Sequence, residues 1–208
     1  MIEHEIQRPT AALGEPRSAQ ELRDAIEDET GCGSFRVVRD RRITGAVPAE
    51  RVHGLGAMLR SRLGIEHLSA ISCVDWLAEG EFELVYHFWS YRDSCLVMAR
   101  TRVDRDNPHM ATLTDLWQPA KFFERDILEM FGVVFDGNED LEKYILTEWH
   151  GPPPMRKDFV TRSFAHEHFH YKDYEPDWDA LVQGGYHGNI APPEERSVDS
   201  AAKEGDHE

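Results

Sequence analysis

The chain has 208 residues, 40% of them hydrophobic and 30% charged, which is typical of one globular domain with extensions. Its formal net charge of −16 argues against binding to nucleic acid or to anionic lipid. The charge indicates either a well-solvated surface or a surface for a basic partner protein. No run approaches the ~20 apolar residues that cross a bilayer, and the acidic N-terminus lacks the apolar core of a signal peptide.

Two helices and a short strand are predicted in the first third of the chain. Ser18 and Glu21 fit a capping box, and Gly31 supplies a C-terminal stop for the first helix. A short strand is predicted over residues 34–39. Pro48 and Gly64 bracket the second helix. Its apolar residues share one face: Val52, Leu55, Leu59 and Leu63.

Three strand-like runs follow, over residues 67–77, 82–89 and 95–103. Strict alternation places four large side chains of the middle run on one face: Phe82, Leu84, Tyr86 and Phe88. The turns between the runs are short, so consecutive strands should pair as an antiparallel meander. We therefore predict an α+β fold, with a mixed or antiparallel sheet covered by two to three helices.

A third helix is predicted from Pro119, and its apolar stripe is Phe123, Ile127 and Met130, with Gly132 beyond its end. The prolines at 152–154 then interrupt regular structure. We predict an α+β domain over 1–150, a long irregular arm over 151–191 and a flexible acidic tail over 192–208. The aromatic residues of the arm favour docking on a partner, and folding back over its own domain is the alternative.

The sequence contains no recognisable catalytic, cofactor or metal site. Cys32, Cys73 and Cys95 are too scattered to supply the ligands of a cluster or a zinc site, and they indicate buried thiols in a reducing compartment. No glycine-rich phosphate-binding motif is present. His166, His168 and His170 could bind a divalent ion from one face of a strand, but the segment has little strand character, which favours a polar surface run.

A dense charge cluster lies on the third helix, at Glu124, Arg125, Asp126 and Glu129. Paired carboxylates can perform acid–base chemistry. Arg125 can instead pair with Glu129 one turn later, so a structural ion-pair network is the favoured interpretation.

The same helix carries a family resemblance. Residues 122–137, FFERDILEMFGVVFDG, resemble the hallmark of the C subunit (30-kDa type) of respiratory complex I, the proton-pumping NADH:quinone oxidoreductase. Residues 151–159, GPPPMRKDF, resemble the family's G-x-P-L-R-K-D-[FY]. Three earlier segments are similar to the family's sequence at the corresponding places: residues 71–76, 83–87 and 113–117. The family's E-R-E-x-x-D is E-R-D-x-x-E here. Asn138 and Glu139 stand where the family has His-Pro.

The resemblance implies a subunit without flavin or cluster, and therefore without catalytic residues, in the hydrophilic arm of the oxidoreductase complex. Its implied partners are the hydrogenase-like large (D-type) subunit near the quinone site and neighbouring cluster-bearing subunits, at the cytoplasmic side of the inner membrane. Structural or interface roles are implied for ten residues: Glu124, Arg125, Asp126, Glu129, Gly132, Phe135, Gly137, Arg156, Lys157 and Asp158. Of these, residues 156–158 should anchor the arm on the partner.

Two alternatives remain open at this point. The chain could be the equivalent subunit of an energy-converting membrane-bound hydrogenase or of a deazaflavin- or ferredoxin-linked complex, because the same subunit family occurs there. It could also be a free-standing protein-binding module. The resemblance leaves open the electron donor and the quinone type.

Overall fold

The computed structural model describes residues 15–31, 34–146 and 148–169. The chain divides into two compact units, the first ending at Thr161 and the second beginning at Arg162. The helices are α1 (Ala19–Thr30), α2 (Val52–Ser61, preceded by a 3-10 turn at Ala49–Arg51), α3 (Ala120–Phe131) and α4 (Thr161–His168). The strands are β1 (Arg36–Arg39), β2 (Arg42–Ala46), β3 (His67–Trp76), β4 (Glu81–Ser90), β5 (Cys95–Asp104), β6 (His109–Ala111) and β7 (Val134–Asp136).

The first unit is built on a five-stranded mixed sheet with the order β1-β2-β5-β4-β3. β3, β4 and β5 form the predicted antiparallel meander, so that part of the prediction is confirmed. β2 pairs parallel with β5 and was not predicted. Its sequence, RITGA, is short and contains Gly45, where an added Cβ would lie 2.5 Å from the ring of Phe35. The glycine that weakens the strand pattern is therefore required by packing.

The hydrophobic core lies between one face of this sheet and the helices α1, α2 and α3. Phe82, Leu84, Tyr86 and Phe88 are all fully buried, as their alternation predicted. They pack in one cluster with the buried residues of the helices: Leu22, Ile26, Leu55, Leu59 and Ile127. Burying each such side chain contributes roughly 1.5–3 kcal/mol. The predicted caps of α1 are present, with a complete capping box at Ser18 and a left-handed residue at Gly31.

The third helix begins after Pro119 and ends before Gly132, as predicted, but its buried stripe differs. Ile127 is buried, whereas Phe123 and Met130 are only half-buried. The most buried polar side chain of the helix is Glu124, which is wholly inaccessible to solvent. A hydrophobic pattern cannot reveal a carboxylate that is buried against polar partners.

The first compact unit continues past the predicted boundary at residue 150. Residues 151–160 contain no helix or strand, and α4 follows them inside the range that was predicted to be irregular. α4 places His166 and His168 two positions apart on a helix, so they do not share a face as a strand would allow. His170, Cys32, the rest of the predicted arm and the predicted tail lie outside the described residues. Among the helices described, none combines the length and apolar character that crossing a bilayer requires.

Candidate functional site

The residues of the family signature gather around α3, and Glu124 is at their centre. Its carboxylate accepts hydrogen bonds from the backbone N–H of Leu113 (2.8 Å), the hydroxyl of Thr112 (2.6 Å) and the amide of Asn138 (2.8 Å). Burial raises the pKa of Glu124, and these three hydrogen bonds only partly oppose the shift. Glu124 is therefore a structural acid that joins three chain segments.

The turn after β7 supplies one of these partners. Asn138 also accepts a hydrogen bond from the backbone N–H of Asp140 (2.9 Å), so one side chain both holds Glu124 and shapes the turn. Gly137 has a φ of 91°, and a Cβ there would lie 3.1 Å from Cγ2 of Thr112. Phe135 is fully buried in β7. The signature residues of this segment therefore have packing roles.

Arg125 and Glu129 hold one loop, residues 142–146, by its backbone. Arg125 donates to the carbonyl oxygens of Glu142 and Lys143, both at 3.0 Å. Glu129 accepts from the backbone N–H groups of Tyr144, Ile145 (2.8 Å) and Leu146 (3.3 Å). The prediction of an Arg125–Glu129 ion pair is wrong. Arg125 donates to carbonyl groups of the loop instead, and Glu129 accepts from its backbone N–H groups.

This loop displays an apolar patch beside α3. The patch consists of Phe122, Tyr144 and Ile145, which are 42%, 47% and 54% exposed. The rings of Phe122 and Tyr144 lie 5.7 Å apart, and the guanidinium of Arg125 covers the Tyr144 ring at 4.9 Å. We call these three residues the signature patch. Arg125 and Glu129 hold the backbone of the loop that carries Tyr144 and Ile145, so the patch is preorganised for contact.

Asp126 stands apart from the other acids of α3. It is half-buried, and it makes no hydrogen bond or ion pair with any residue in the described part of the chain. Its burial raises its pKa, and the nearby Glu129 raises it further. Among the four charged residues of the predicted network, only Asp126 has a side chain with no hydrogen-bond or ion-pair partner within the described part of the chain.

Residues 156–158 fasten the segment after the prolines to its own sheet. Arg105 binds Asp75 through two nitrogens (2.9 and 3.2 Å) and binds Asp158 at 2.6 Å. The backbone N–H of Lys157 donates to Asp75 at 2.8 Å. Although burial alone would raise the pKa of Asp75, the hydrogen bonds from Arg105 and Lys157 lower it. Residues 156–158 therefore bind their own chain, and their role in anchoring an arm on a partner stays a prediction.

Arg156 binds the same segment to the C-terminal end of α3. Its Nε donates to the carbonyl of Phe131 at 2.7 Å, and its guanidinium lies 5.1 Å from the ring centroid of Phe82. Gly132 has a φ of 81°, and a Cβ there would lie 3.0 Å from Nη2 of Arg156. Gly132 and Arg156, 24 positions apart in the signature, are thus adjacent.

Sequence reasoning missed two residues of this site, Asp75 and Arg105. Both are nearly inaccessible, at 3% and 8% exposure, and they lie 30 positions apart. Asp75 was visible as the only carboxylate of β3, a strand rich in apolar residues. That signal indicates a buried pair, but it does not identify the partner.

A family model described as the 30 Kd subunit of the respiratory-chain NADH dehydrogenase matches residues 46–165, from the end of β2 into α4. The chain belongs to this family. The resemblance noted in the sequence is therefore confirmed, and the chain is a subunit of an oxidoreductase complex of this kind.

Curated relatives carry related names. The C subunit of NADH-quinone oxidoreductase from Roseiflexus sp. (strain RS-1) is 34% identical over 152 residues, which is 71% of this chain and 84% of the relative. The C subunit of F(420)H(2) dehydrogenase from Methanosarcina mazei is 29% identical over 57% of this chain and 75% of its own length. The C/D subunit of NADH-quinone oxidoreductase from Nitrosospira multiformis is 39% identical over 43% of this chain and 15% of the relative.

A solved structure shares the fold. A chain of the membrane-bound sulfane sulfur reductase, described as an archaeal respiratory membrane complex, superposes with a TM-score of 0.68 and 33% identity. The match covers 77% of this chain and 96% of that chain. The fold therefore occurs in respiratory membrane complexes with differently named activities.

Proposed function

We propose that this chain is a structural subunit in the hydrophilic arm of a proton-pumping NADH:quinone oxidoreductase. It docks the hydrogenase-like large subunit near the quinone site, on the cytoplasmic side of the cell membrane. The Nitrosospira relative carries its region of similarity within a C/D polypeptide, which supports adjacency of the two subunits. The effect of this chain on catalysis is indirect, because it holds the partner in a working geometry.

The use of the signature charges is the observation that carries this proposal. Arg125 and Glu129 hold a loop, Glu124 joins three segments, and Arg105 binds Asp158. A catalytic acid or base must reach a substrate, whereas these groups are occupied by their own chain. Together they rigidify an edge that displays the signature patch.

We also propose that the chain holds no flavin or cluster of its own. Burial raises the pKa of the Cys73 thiol to about 12 and that of Cys95 to about 11. Iron–sulfur clusters are bound by thiolates, and these raised pKa values disfavour the thiolate. An iron assay of the purified chain, reconstituted anaerobically with iron and sulfide, tests this, and stoichiometric iron with a cluster absorbance band would contradict it.

Affinity purification of the native complex tests the docking role. A tag on this chain should recover a hydrogenase-like large subunit from solubilised membranes, and its absence would refute the proposal. Replacing Phe122 and Ile145 by Ser should reduce that recovery at least 5-fold. Leu77→Ser is the matched control, because Leu77 is 44% exposed in the β3–β4 turn and lies outside the signature patch. Equal recovery of both variants would exclude the patch as the docking edge.

A second candidate is the equivalent subunit of a complex with another electron donor. The similarity to an F(420)H(2) dehydrogenase subunit and to a chain of the sulfane sulfur reductase favours it. The purified complex distinguishes the candidates. Quinone reduction with NADH supports the first candidate, whereas activity only with a reduced deazaflavin, ferredoxin or hydrogen supports the second.

A further inference from the structure

The five-stranded sheet has a second face, opposite the one that packs on the helices. Side chains alternate along each strand. Since Phe82, Leu84, Tyr86 and Phe88 of β4 face the core, Val85, His87 and Trp89 lie on this other face. The register places Arg100, Met98 and Leu96 of β5 beside them, and Arg42 of β2 beside Leu96. We call this the open face. It also carries Glu83 and Arg102, which face each other across β4 and β5, and Arg36 of β1, which lies beside Thr44 of β2.

The centre of the open face is apolar. Val85 is only 8% exposed, yet it is not part of the main core cluster, so its neighbours on the open face cover it. Trp89, Leu96 and Met98 are half-buried. At one end the ring of Tyr91, 63% exposed, lies 6.5 Å from the Trp89 ring. Tryptophan, tyrosine, methionine and arginine are the residues enriched in protein–protein interfaces.

The flank of the open face is cationic on a strongly acidic chain. Arg36 and Arg42 form no ion pair with the residues described at 15–31, 34–146 and 148–169. Arg100 has a long contact of 3.6 Å with Glu83, and its Nε is buried without a hydrogen-bond partner. On a chain with a net charge of −16, this flank carries three guanidinium groups, and two of them, those of Arg36 and Arg42, have no carboxylate partner among the described residues. Such groups pair readily with carboxylates from another protein.

The face is also large enough for a stable contact. Three strands of ten residues and two of four and five, about 4.8 Å apart and about 3.3 Å per residue, give it roughly 600 Å². That size approaches the ~800 Å² per partner of a standard interface.

We propose that the open face is a second docking surface, and that its occupant is a subunit of the same complex with an apolar contact surface edged by carboxylates. Charge complementarity selects this occupant, because the net charge of −16 repels an anionic bilayer while the arginines attract acidic protein groups. This inference rests on the proposed function, since it requires a multisubunit complex. It differs from the signature patch, which lies on α3 and the loop 142–146.

Hydroxyl-radical footprinting of the native complex and of the isolated full chain tests the proposal. Met98 should be oxidised readily in the isolated chain and at least 5-fold more slowly in the complex. Met58 on α2 is the internal reference, because it is also half-buried but lies on the helical side. Met98 protection no greater than that of Met58 would overturn the proposal.

Charge reversal gives a second measurement. Arg36→Glu with Arg42→Glu should lower the salt concentration that releases the chain from the complex at least 2-fold. The control replaces Arg23 and Arg62 on the helical side by Glu, which makes the same change in charge. Equal release would contradict the proposal, and circular dichroism verifies folding of both variants. If the open-face variant does not fold, the footprint decides alone.

Two further outcomes would assign the face differently. A dimer of the isolated chain that protects Met98 would make the occupant a second copy and refute the proposal. Binding of the chain to phosphatidylglycerol vesicles that is lost in the open-face variant would assign the face to lipid and also refute it. If the tagged chain recovers no large partner, the proposed function fails. If that partner is recovered while Met98 stays reactive, only this inference fails.

Discussion

Asn138 donates a 2.8 Å hydrogen bond to Glu124, and both side chains are buried. The bond ties the turn after β7 to the middle of α3. In the family pattern a histidine occupies the position of Asn138. Asparagine supplies an uncharged N–H donor to the carboxylate there, and its second polar atom accepts from Asp140. The side chain at this position therefore links α3 to the turn after β7.

Glu124→Ala should destabilise the first unit by about 2–4 kcal/mol, because it leaves buried donors at Leu113 and Asn138 without an acceptor. Glu124→Gln should cost less than half as much, since its carbonyl oxygen can still accept from Leu113. Urea unfolding followed by tryptophan fluorescence measures both. Equal losses for Ala and Gln would contradict the role given to this side chain.

The acid stability of the chain should depend on Asp93. Burial alone would raise the pKa of Asp93, but hydrogen bonds from Arg17, Ser90 and Arg92 lower it well below the usual range. A lowered folded-state pKa gives stability that is present above the unfolded pKa, about 3.9, and is lost as the pH falls through the folded pKa.

Asp93→Asn should therefore be about 3 kcal/mol less stable than wild type at pH 7, because a buried ion pair is broken. Below about pH 4 the wild type loses stability as Asp93 is protonated and the variant does not, so the difference between them should shrink. Thermal unfolding between pH 2 and 7 measures the difference. The exposed Asp28→Asn is the control and should follow wild type. A wild-type-like slope for Asp93→Asn would contradict the prediction.

Arg105→Gln should release the segment around residues 156–158. The substitution removes the two hydrogen bonds to Asp75 and the ion pair with Asp158. Asp75 is then buried without a cationic partner. Trypsin should then cleave after Arg156 or Lys157 at least 10-fold faster than in wild type, measured by mass spectrometry at native pH. Arg62→Gln, which breaks an exposed pair with Glu29, should not change the rate.

Gly132→Ala and Gly54→Ala should have opposite signs. Gly132 has a φ of 81°, and its new Cβ would press on Arg156, so we expect a loss of about 1–2 kcal/mol. Gly54 lies inside α2 with no atom within 4 Å of an added Cβ, so alanine should gain up to about 1 kcal/mol. Differential scanning calorimetry measures both. A neutral Gly132→Ala would contradict the close approach of Arg156.

The sequence predicted the elements that depend on local chemistry. The capping box at Ser18, the alternation from Phe82 to Phe88 and the helix stop at Gly132 all rest on neighbouring residues, and all three are present. It did not predict β2, whose pattern is interrupted by a glycine that serves the distant Phe35.

The sequence also did not predict which polar side chains that are distant along the chain contact each other. The family signature located α3 and residues 156–158, but not what their side chains contact. Arg125 was expected to pair along its helix, as spacing permits, and it binds instead the carbonyls of residues 17 and 18 positions away. Asp75 and Arg105 meet only because β3 and β5 flank β4. Helical spacing describes neighbours on one element, whereas these contacts are determined by tertiary structure.

The parallel pairing of β2 with β5 also bears on how the chain folds during synthesis. Arg42 pairs with Leu96, so β2 leaves the ribosome more than fifty residues before the strand it needs. The β3–β4–β5 hairpins can form from local contacts, while the N-terminal hairpin waits with an unsatisfied edge. We expect the meander to form first and β1–β2 to add last, which makes the N-terminal third the segment that relies most on chaperones before assembly.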